Sequence, residues 1–160
     1  MIDRIVEIRD SQIIKAVVNK SFMTVAQAYN FTKENAPGFP AFVNEKRIDD
    51  QLKNGLKMYA YEMNEKIIAC VGYSCNKDSV FLIERLATWP EYRHLGIGKK
   101  MMKFIETQII ENSGKTAEVH IVDKNTVLKE WYKKIGYKEI RIEAPPSLPF
   151  KVCIMQKDLA

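Results

Sequence analysis

The feature that most constrains this 160-residue chain is a buried-strand pattern that leads through a glycine-containing loop into a helix. Val80 to Ile83 are β-branched, aromatic and aliphatic residues, Pro90 ends the pattern, and a helical apolar pattern opens at Gly96 and Gly98. The first amides of a helix lack partners within the helix and lie at the positive end of its dipole, so they bind anions. The segment therefore predicts a helix start suited to a pyrophosphate.

The residues of this loop fit an anion but match neither of two common phosphate-binding motifs. The glycines let phosphate oxygens approach the main chain, and Arg93 and Lys99 add positive charge. Lys99 is followed by Lys100 where the Walker motif needs Ser or Thr, and Met101 replaces the third glycine of the dinucleotide fingerprint. A lone Gly-x-Gly is weak evidence, and the alternative is a helix entry whose glycines only serve chain geometry.

A second predicted helix, further along the chain, carries a tyrosine beside its apolar stripe. Asn125 is a good N-cap, and Gly136 is a C-terminal stop. Tyr132 stands next to Trp131, where a phenol is expected to use its hydroxyl. The apolar stripe of this helix is predicted to comprise Val127, Leu128, Trp131 and Ile135.

The two motifs together resemble those of the GNAT superfamily of N-acetyltransferases, which use acetyl-coenzyme A. The family's pyrophosphate motif is Arg or Gln, two residues, Gly, one residue, then Gly or Ala, and residues 93–98 match it, after a typical LATWPEYR. The family's later motif is Asn at a helix start, Tyr seven residues on, and Gly-Phe or Gly-Tyr after the helix, which Asn125, Tyr132 and Gly136-Tyr137 match. The resemblance extends over residues 59–157.

The resemblance implies an α/β (α+β) fold, the GNAT acyltransferase fold, with a mixed central sheet of about seven strands flanked by helices. The family's strands corresponding to Val80–Ala87 and Ala117–Val122 lie parallel and splay apart, which leaves a wedge for the pantetheine arm. A bulge near residues 86–88 would pair with the cofactor's amides as an added strand does. The implied acetyl-coenzyme A ligands are Leu86, Ala87, Thr88, Arg93, His94, Leu95, Gly96, Ile97, Gly98, Lys99, Asn125 and Tyr132.

The chemistry implied is direct attack of a neutral amine on the acetyl thioester. The amine must lose a proton, the oxyanion needs a donor, and the leaving thiolate benefits from an acid. Tyr132 is the implied acid, and the backbone N–H near Ala87 is the candidate oxyanion donor. Glu84 is the candidate base, through a water, because it is an acid in an otherwise apolar strand; the alternative is a structural ion pair with Arg85.

The other polar candidates have plainer interpretations. His94 is expected to lie too far from the sulfur, and His120 is interpreted as a satisfied core histidine. Asn125 has two compatible roles, capping its helix and holding the cofactor. The N-terminal half is expected to build the acceptor pocket, mostly with core residues and a few lining ones, among Phe22, Met23, Tyr29, Phe31, Phe39 and Phe42.

The remaining segments predict alternating helices and strands. The first strand is predicted over Ile2 to Arg9, and a helical stretch from Asp10 to about Asn35 with a break near Asn19 to Ser21. Turns at Asn64-Glu65 and at Asn76 to Asp78 favour an antiparallel meander. Further helices are predicted from Asn44 to about Leu52 and from Ile97 to Ser113, and further strands over 56–62, 66–75, 79–87, 117–122, 137–142 and 150–156.

Composition bounds the class of protein. The length and the 46% hydrophobic content suit one domain over residues 1–160. We expect a cytoplasmic protein, because no apolar run is long enough for a membrane span and no leader pattern stands at the N-terminus. The three cysteines lack C-x-x-C spacing and only two histidines are present, so reduced thiols and no metal are expected.

Three candidate functions are compared, and net charge bears on one of them. The net charge of +5 raises the possibility of a nucleic acid partner, but the basic residues are spread among 20 acids without a tract of five, so this partner is not favoured. The leading function is an N-acetyltransferase with acetyl-coenzyme A and a primary amine as its partners. The second is a catalytically silent acetyl-coenzyme A sensor, against which the presence of both Glu84 and Tyr132 weighs. The protein is expected to be a monomer or a homodimer.

Overall fold

A computed structural model describes residues 3–159 of the chain as a seven-stranded sheet with four helices and two short 3-10 turns. The predicted start of the first strand at Ile2 lies outside these residues. The elements are β1 (Asp3–Ile8), α1 (Ser11–Tyr29), α2 (Glu45–Lys53), β2 (Lys57–Met63), β3 (Lys66–Lys77), β4 (Val80–Thr88), α3 (Ile97–Glu111), β5 (Thr116–Val122), α4 (Thr126–Lys134), β6 (Lys138–Glu143) and β7 (Val152–Asp158).

The sheet has the strand order β1-β2-β3-β4-β5-β7-β6. Every neighbouring pair is antiparallel except β4 and β5, which are parallel. This arrangement confirms the predicted mixed sheet with a parallel pair, and the meander of β2, β3 and β4. Asn64 and Glu65 both have positive φ angles, which matches the twist of a two-residue hairpin turn.

The second hairpin turn lies later than the sequence suggests. Strand β3 continues to Lys77, and the turn is formed by Asp78 and Ser79, which have φ angles of 50° and 65°. The prediction that the turn covers Asn76 to Asp78 and that Ser79 starts the next strand is therefore wrong by about one residue, an error common at element ends. Strand β4 starts at Val80.

Two clusters of buried residues lie on opposite faces of the sheet. Helices α1 and α2 pack on one face, where Val18, Ile48 and Met58 are fully buried. Helices α3 and α4 pack on the other face, where Met101, Ile105 and Tyr132 join side chains of the central strands. None of the helices within residues 3–159 has the length and apolar character needed to cross a membrane.

Helix α1 runs without a break and ends earlier than predicted. Asn19 donates to the carbonyls of Pro40 and Val43 at 3.0 and 3.3 Å, and the Ser21 hydroxyl donates to the carbonyl of Val17 at 2.6 Å. These polar side chains find partners without interrupting the helix, so the predicted break near Asn19 to Ser21 is wrong.

The helix stops at Tyr29 because Asn30 takes the left-handed conformation, with φ 59°. The helical prediction out to Asn35 is therefore also wrong. Beyond the helix, Thr32 and Asn35 exchange two side-chain to backbone hydrogen bonds at 2.8 and 3.1 Å, which stabilise a turn in place of a further helical turn.

A third buried cluster joins the segment after α1 to the loop before β7. Phe31 and Phe39 are buried, and their ring centroids lie 4.6 and 6.0 Å from that of Phe150. Both are packing residues, whereas Phe22, Met23, Tyr29 and Phe42 are only half-buried. These aromatic contacts hold the N-terminal half against the C-terminal strands.

Candidate active site

Strands β4 and β5 pair over only three positions and then separate. The paired residues are Val80 with Thr116, Phe81 with Ala117, and Leu82 with Glu118. Beyond Leu82, residues 83–88 of β4 have no strand partner on the β5 side within the part of the chain that the structure describes. The sheet therefore opens into a wedge between the ends of these two strands.

A β-bulge lies on β4 beside this wedge. Arg85 and Leu86 together stand opposite the single residue Val71 of β3, and Arg85 has a φ angle of 54°. The sequence suggested a bulge near residues 86–88, and the structure has it slightly earlier. The flanking pairs are Gly72 with Glu84 and Cys70 with Ala87.

The bulge changes which side chains share a face. Gly72 and Cys70 are two residues apart on β3 and so lie on one face, and their partners Glu84 and Ala87 lie on that face too. A Cβ on Gly72 would lie 2.3 Å from Sδ of Met58, a core residue beneath α1 and α2. Glu84 therefore points toward the side of the sheet that carries α1 and α2.

The loop before α3 presents free backbone donors. His94 and Gly96 have φ angles of 65° and 78°, and the helix begins at Ile97 without a side-chain cap. The amides of Ile97, Gly98 and Lys99 have no hydrogen-bond partner among residues 3–159. Three unpaired N–H groups at the positive end of a 15-residue helix can bind a phosphate.

The two glycines of this loop serve different purposes. Gly96 has the left-handed conformation that glycine adopts without strain. A Cβ on Gly98 would lie 3.5 Å from Cζ2 of Trp131, so the start of α3 packs closely against α4. Chain geometry therefore accounts for Gly96, whereas Gly98 has room for a Cβ at an ordinary contact distance.

Arg93 ties the loop to α1. Its guanidinium donates to the carbonyl of Ser21 at 2.7 Å, the hydroxyl of Thr24 at 3.1 Å and the carbonyl of Thr88 at 3.3 Å. Burial lowers the pKa of Arg93 from its ordinary value, against the opposing effect of Glu91. The sequence suggested a phosphate ligand here, but the hydrogen bonds of this side chain go to the protein.

Tyr132 lies on the inner face of α4. It is buried, and its ring centroid is 5.0 Å from that of Trp131 and 5.4 Å from that of Tyr137. Its hydroxyl has no hydrogen-bond partner within residues 3–159. Burial raises the pKa of the phenol well above its ordinary range, so Tyr132 is protonated at neutral pH and can donate a proton.

The predicted N-cap of α4 is confirmed, but one residue of the predicted apolar stripe of this helix is not buried. The Asn125 side chain accepts from the amide of Leu128 at 3.2 Å, which is the predicted N-cap. Leu128, Trp131 and Ile135 pack against the core. Val127 is 82% exposed, so its assignment to the buried stripe is wrong: it lies on the outer face of the helix.

Glu84 is half-buried at the wedge and forms no ion pair with another residue of the range 3–159. Arg85, its sequence neighbour, hydrogen-bonds to Gln51 of α2. Burial raises the pKa of the Glu84 carboxyl, although the charges of Arg85, His120 and Arg47 oppose this. A structural ion pair with Arg85 is therefore not formed.

His120 and Glu118 form a pair that the sequence interpretation missed. His120 is not a core histidine, because its side chain is 40% exposed and its Nε2 lies 2.7 Å from Oε2 of the buried Glu118. Gln156 of β7 donates to the other Glu118 oxygen at 2.7 Å. The signal in the sequence was the polar alternation Glu118, His120 within an apolar strand. His94 is exposed in the loop before α3.

One further polar group resembles a metal site in composition. Ligand atoms of Asp123, Glu139 and Cys153 lie within 4.8 Å of one another. The ammonium of Lys129 pairs with Asp123 and lies 3.5 Å from Glu139, while that of Lys133 lies 3.0 Å from Glu139. The carboxylates are thus neutralised by lysines, and burial raises the pKa of Cys153 to about 11, both of which disfavour a cation here.

Solved structures of N-acetyltransferases share the architecture of this chain. The chain is similar to the ribosomal-protein-S18-alanine N-acetyltransferase from Escherichia coli, with a TM-score of 0.74, 14% identity, and coverage of 99% of this chain and 95% of that one. It is similar to the PaiA N-acetyltransferase from Thermoplasma acidophilum, solved with coenzyme A, with a TM-score of 0.74, 17% identity and 99% coverage of both chains. The TM-scores and coverage show that this chain has the same fold as those two structures.

The family follows from the sequence match. The family model of the acetyltransferase (GNAT) domain matches residues 54–139, more than half of the chain. The chain therefore belongs to the GNAT acetyltransferase family, which confirms the resemblance carried by the two motifs. No curated protein sequence matches the chain.

Proposed function

We propose that this protein transfers an acetyl group from acetyl-coenzyme A to a primary amine of a small molecule or peptide, by direct attack in a ternary complex. The observation that carries the proposal is the wedge: β4 and β5 separate beyond Leu82, and the free amides of α3 follow directly after β4. The chain acts as a single domain over residues 1–160.

Acetyl-coenzyme A is proposed to lie along the wedge. The backbone of Leu86, Ala87 and Thr88 pairs with the pantetheine amides, since this part of β4 has no strand on its β5 side. The pyrophosphate binds the loop of residues 94–99, with Lys99 supplying charge near the helix start. Arg93 supports this site by fixing the loop to α1. Asn125 lies at the start of α4, whose Trp131 packs on that loop.

Two side chains and one amide are proposed to perform the transfer. Glu84 accepts the amine proton through a water, a role that its burial-raised pKa and its lack of an ion pair support. The amide of Ala87 stabilises the oxyanion. Tyr132, whose pKa is raised by burial, donates its proton to the departing thiolate.

The test has two stages. Acetyl-coenzyme A is first titrated against the folded protein while its melting temperature is recorded, since a ligand of the native state raises that temperature. Free thiol release is then followed with a panel of polyamines, antibiotic-like amines, lysine peptides and peptides with free N-termini. Stabilisation without release from any amine indicates the sensor. Salt-dependent retention of DNA or RNA with no effect of coenzyme A indicates the nucleic-acid binder.

The protein is proposed to be cytoplasmic, as a monomer or a homodimer. Its three cysteines, Cys70, Cys75 and Cys153, are all free thiols in the structure, which supports a reducing compartment. Fractionation with an antibody against the native chain tests this placement, and light scattering tests the oligomeric state.

A further inference from the structure

Glu84 and His120 stand opposite each other where the sheet opens. The last paired residues of the two strands are Leu82 and Glu118, and side chains alternate along a strand. Glu84 is two residues beyond Leu82, and His120 is two residues beyond Glu118. Both therefore lie on the same face of the sheet at the first position where the strands are no longer joined. The charge of His120 acts on the carboxyl of Glu84, which agrees with this proximity.

A buried carboxylate, that of Glu118, holds the imidazole of His120 in one orientation. Nε2 of His120 lies 2.7 Å from Oε2 of Glu118, and Nε2 of Gln156 donates to Oε1 of Glu118 at 2.7 Å. Glu118 is only 3% exposed, so its carboxylate is fixed by burial as well as by these two bonds. Burial raises the pKa of Glu118, but the hydrogen bonds from Gln156 and His120 outweigh it and hold that pKa below its ordinary value.

This arrangement determines the chemistry that the ring can perform. An ionised carboxylate only accepts hydrogen bonds, so Nε2 of His120 carries the proton and Nδ1 is left with a free lone pair. Nδ1 has no hydrogen-bond partner among residues 3–159, and the side chain is 40% exposed. A base oriented through its second nitrogen by a buried carboxylate is the arrangement that activates histidine in hydrolases.

We propose that His120 is the terminal proton acceptor of the acceptor-amine site, with Glu118 as its positioning residue, and that the ammonium group binds between Glu84 and His120. This inference rests on the proposed function. Glu84 takes a proton from the ammonium nitrogen through a bound water and passes it on to Nδ1 of His120. The N–H bond of the ammonium breaks, an N–H bond of the imidazolium forms, and the freed lone pair attacks the thioester carbon.

Charged groups around the pair are compatible with this role. Glu84 faces His120 from β4, Glu118 lies on its own strand, and Gln156 stands on β7. Arg141 of β6 acts on Glu118, and Arg47 of α2 acts on Glu84. An imidazolium formed here is stabilised by two carboxylates, and its exposed side can return the proton to solvent.

The first experiment measures kcat and KM for wild type, His120→Ala, Glu118→Gln and the control Glu111→Gln, which changes an exposed glutamate at the end of α3. His120→Ala is expected to lower kcat by about 10²-fold, the lower end of the range for a positioned base, with KM for acetyl-coenzyme A unchanged. Added imidazole is expected to restore part of that rate. The control is expected to match wild type.

Glu118→Gln has a separate signature. A carboxamide can donate to Nε2 as well as accept from it, so the ring is no longer fixed in one tautomer, and kcat is expected to fall while KM for acetyl-coenzyme A stays unchanged. An active wild type with unchanged kcat and no imidazole effect in His120→Ala overturns the inference but leaves the proposed function intact. A wild type that transfers no acetyl group to any amine overturns both.

The tautomer of the His120 ring can be measured directly, without enzyme turnover. Long-range ¹H–¹⁵N NMR distinguishes the two imidazole tautomers, and the chain has only two histidines, so a His94→Ala variant assigns the spectrum. The expected tautomer of His120 carries its proton on Nε2. A ring protonated on Nδ1 contradicts the inference, because Nδ1 then has no lone pair with which to accept a proton.

Discussion

At the scale of the residue, burial determines the protonation of the two candidate side chains, Tyr132 and Glu84. Tyr132 is buried with a raised pKa, and Glu84 is half-buried with a raised pKa, so desolvation favours the neutral form of each. A neutral phenol is a proton donor, and a carboxyl whose pKa lies closer to neutrality is a better base at the pH of the reaction. Tyr132 is therefore suited to donating a proton, and Glu84 is suited to accepting one.

Tyr132→Phe is expected to lower kcat by about 10²-fold or more, because a positioned acid contributes at least that factor. The cofactor's main-chain contacts are untouched, so KM for acetyl-coenzyme A is expected to change far less. Steady-state kinetics and a thermal titration with acetyl-coenzyme A measure the two effects. Tyr61→Phe is the control, since it removes a phenol that donates to Asp3 at 2.8 Å, away from α4. Equal turnover in Tyr132→Phe and wild type contradicts the acid role.

Glu84→Gln is expected to lower kcat/KM and to remove one limb of its pH dependence. A base must be deprotonated, so the wild-type rate falls as pH decreases through the raised pKa of Glu84, and the glutamine variant lacks that fall. Glu111→Gln is the matched control. A variant with the wild-type rate and profile shows that the proton leaves by another route.

The same substitution has an opposite effect on stability. The folded-state pKa of Glu84 is raised, so its stability contribution is greatest below its unfolded pKa and declines as pH rises through the folded value. At neutral pH the ionised carboxylate is a cost to folding. Glu84→Gln is therefore expected to melt at a higher temperature than wild type at neutral pH, and the difference is expected to vanish in acid. A lower melting temperature at neutral pH contradicts this.

At the scale of the element, the start of α3 is a loop, a left-handed glycine and three free amides. Substitution of its two glycines tests stability and cofactor affinity separately. Gly98→Ala places a Cβ 3.5 Å from Trp131, an ordinary contact, so its melting temperature is expected to stay close to that of wild type. The proposed function has a phosphate approach the backbone at this helix start, so the same methyl is expected to lower the affinity for coenzyme A about tenfold or more, as for the loss of about 1.4 kcal/mol.

Gly96→Ala is the companion variant. Its φ of 78° is unfavourable for alanine, so a loss of about 1–2 kcal/mol in the free energy of unfolding is expected. Denaturant unfolding and calorimetric titration with coenzyme A measure the two quantities for both variants. Wild-type affinity in Gly98→Ala would show that the cofactor's phosphates lie elsewhere.

Elements were predictable from sequence where local signals decide them. Asn125 and Gly136 bound α4 as predicted, since caps and stops are encoded within a few residues. The unbroken course of α1 was not predictable, because Asn19 finds its partners in a distant loop. The pairing of Glu118 with Gln156 was also hidden, because the register of β5 and β7 joins residues that are remote in sequence. Sequence thus indicated the loop before α3 and Tyr132 as candidates, but not the pairing of His120 with Glu118.

At the scale of the whole molecule, the sheet consists of two parts joined at a short seam. One part is β1 to β4 and the other is β5 to β7. Among residues 3–159 the two strands that join them pair at three positions from Val80 to Leu82, beside the hydrogen bonds from the amides of Lys115 and Thr116 to the carbonyl of Ser79. The shortness of this seam creates the wedge, so the same three pairs must hold the sheet together while leaving room for a thioester. Close packing around the seam is therefore expected to be essential.

Gly114 tests this requirement. It lies in the turn between α3 and β5, where a Cβ would lie 2.2 Å from Cγ2 of Ile109, 2.8 Å from Cδ1 of Phe81 and 2.9 Å from the carbonyl oxygen of Ile109. Phe81 is one of the seam residues, and the carbonyl cannot move without shifting α3. Gly114→Ala is therefore expected to lower the free energy of unfolding by about 1–3 kcal/mol, as overpacking does.

The control for this change is Gly38→Ala, whose Cβ would meet only Arg47 at 3.6 Å and which is expected to alter stability by less than about 0.5 kcal/mol. Denaturant unfolding measures both variants, and hydrogen exchange locates the effect. Faster exchange in Gly114→Ala is expected at the amides of the seam, Val80 to Leu82 and Thr116 to Glu118, since displacement of Phe81 separates the two parts of the sheet. Unchanged exchange at these amides, with β1 and β2 affected instead, would mean that the seam does not limit the stability of the wedge.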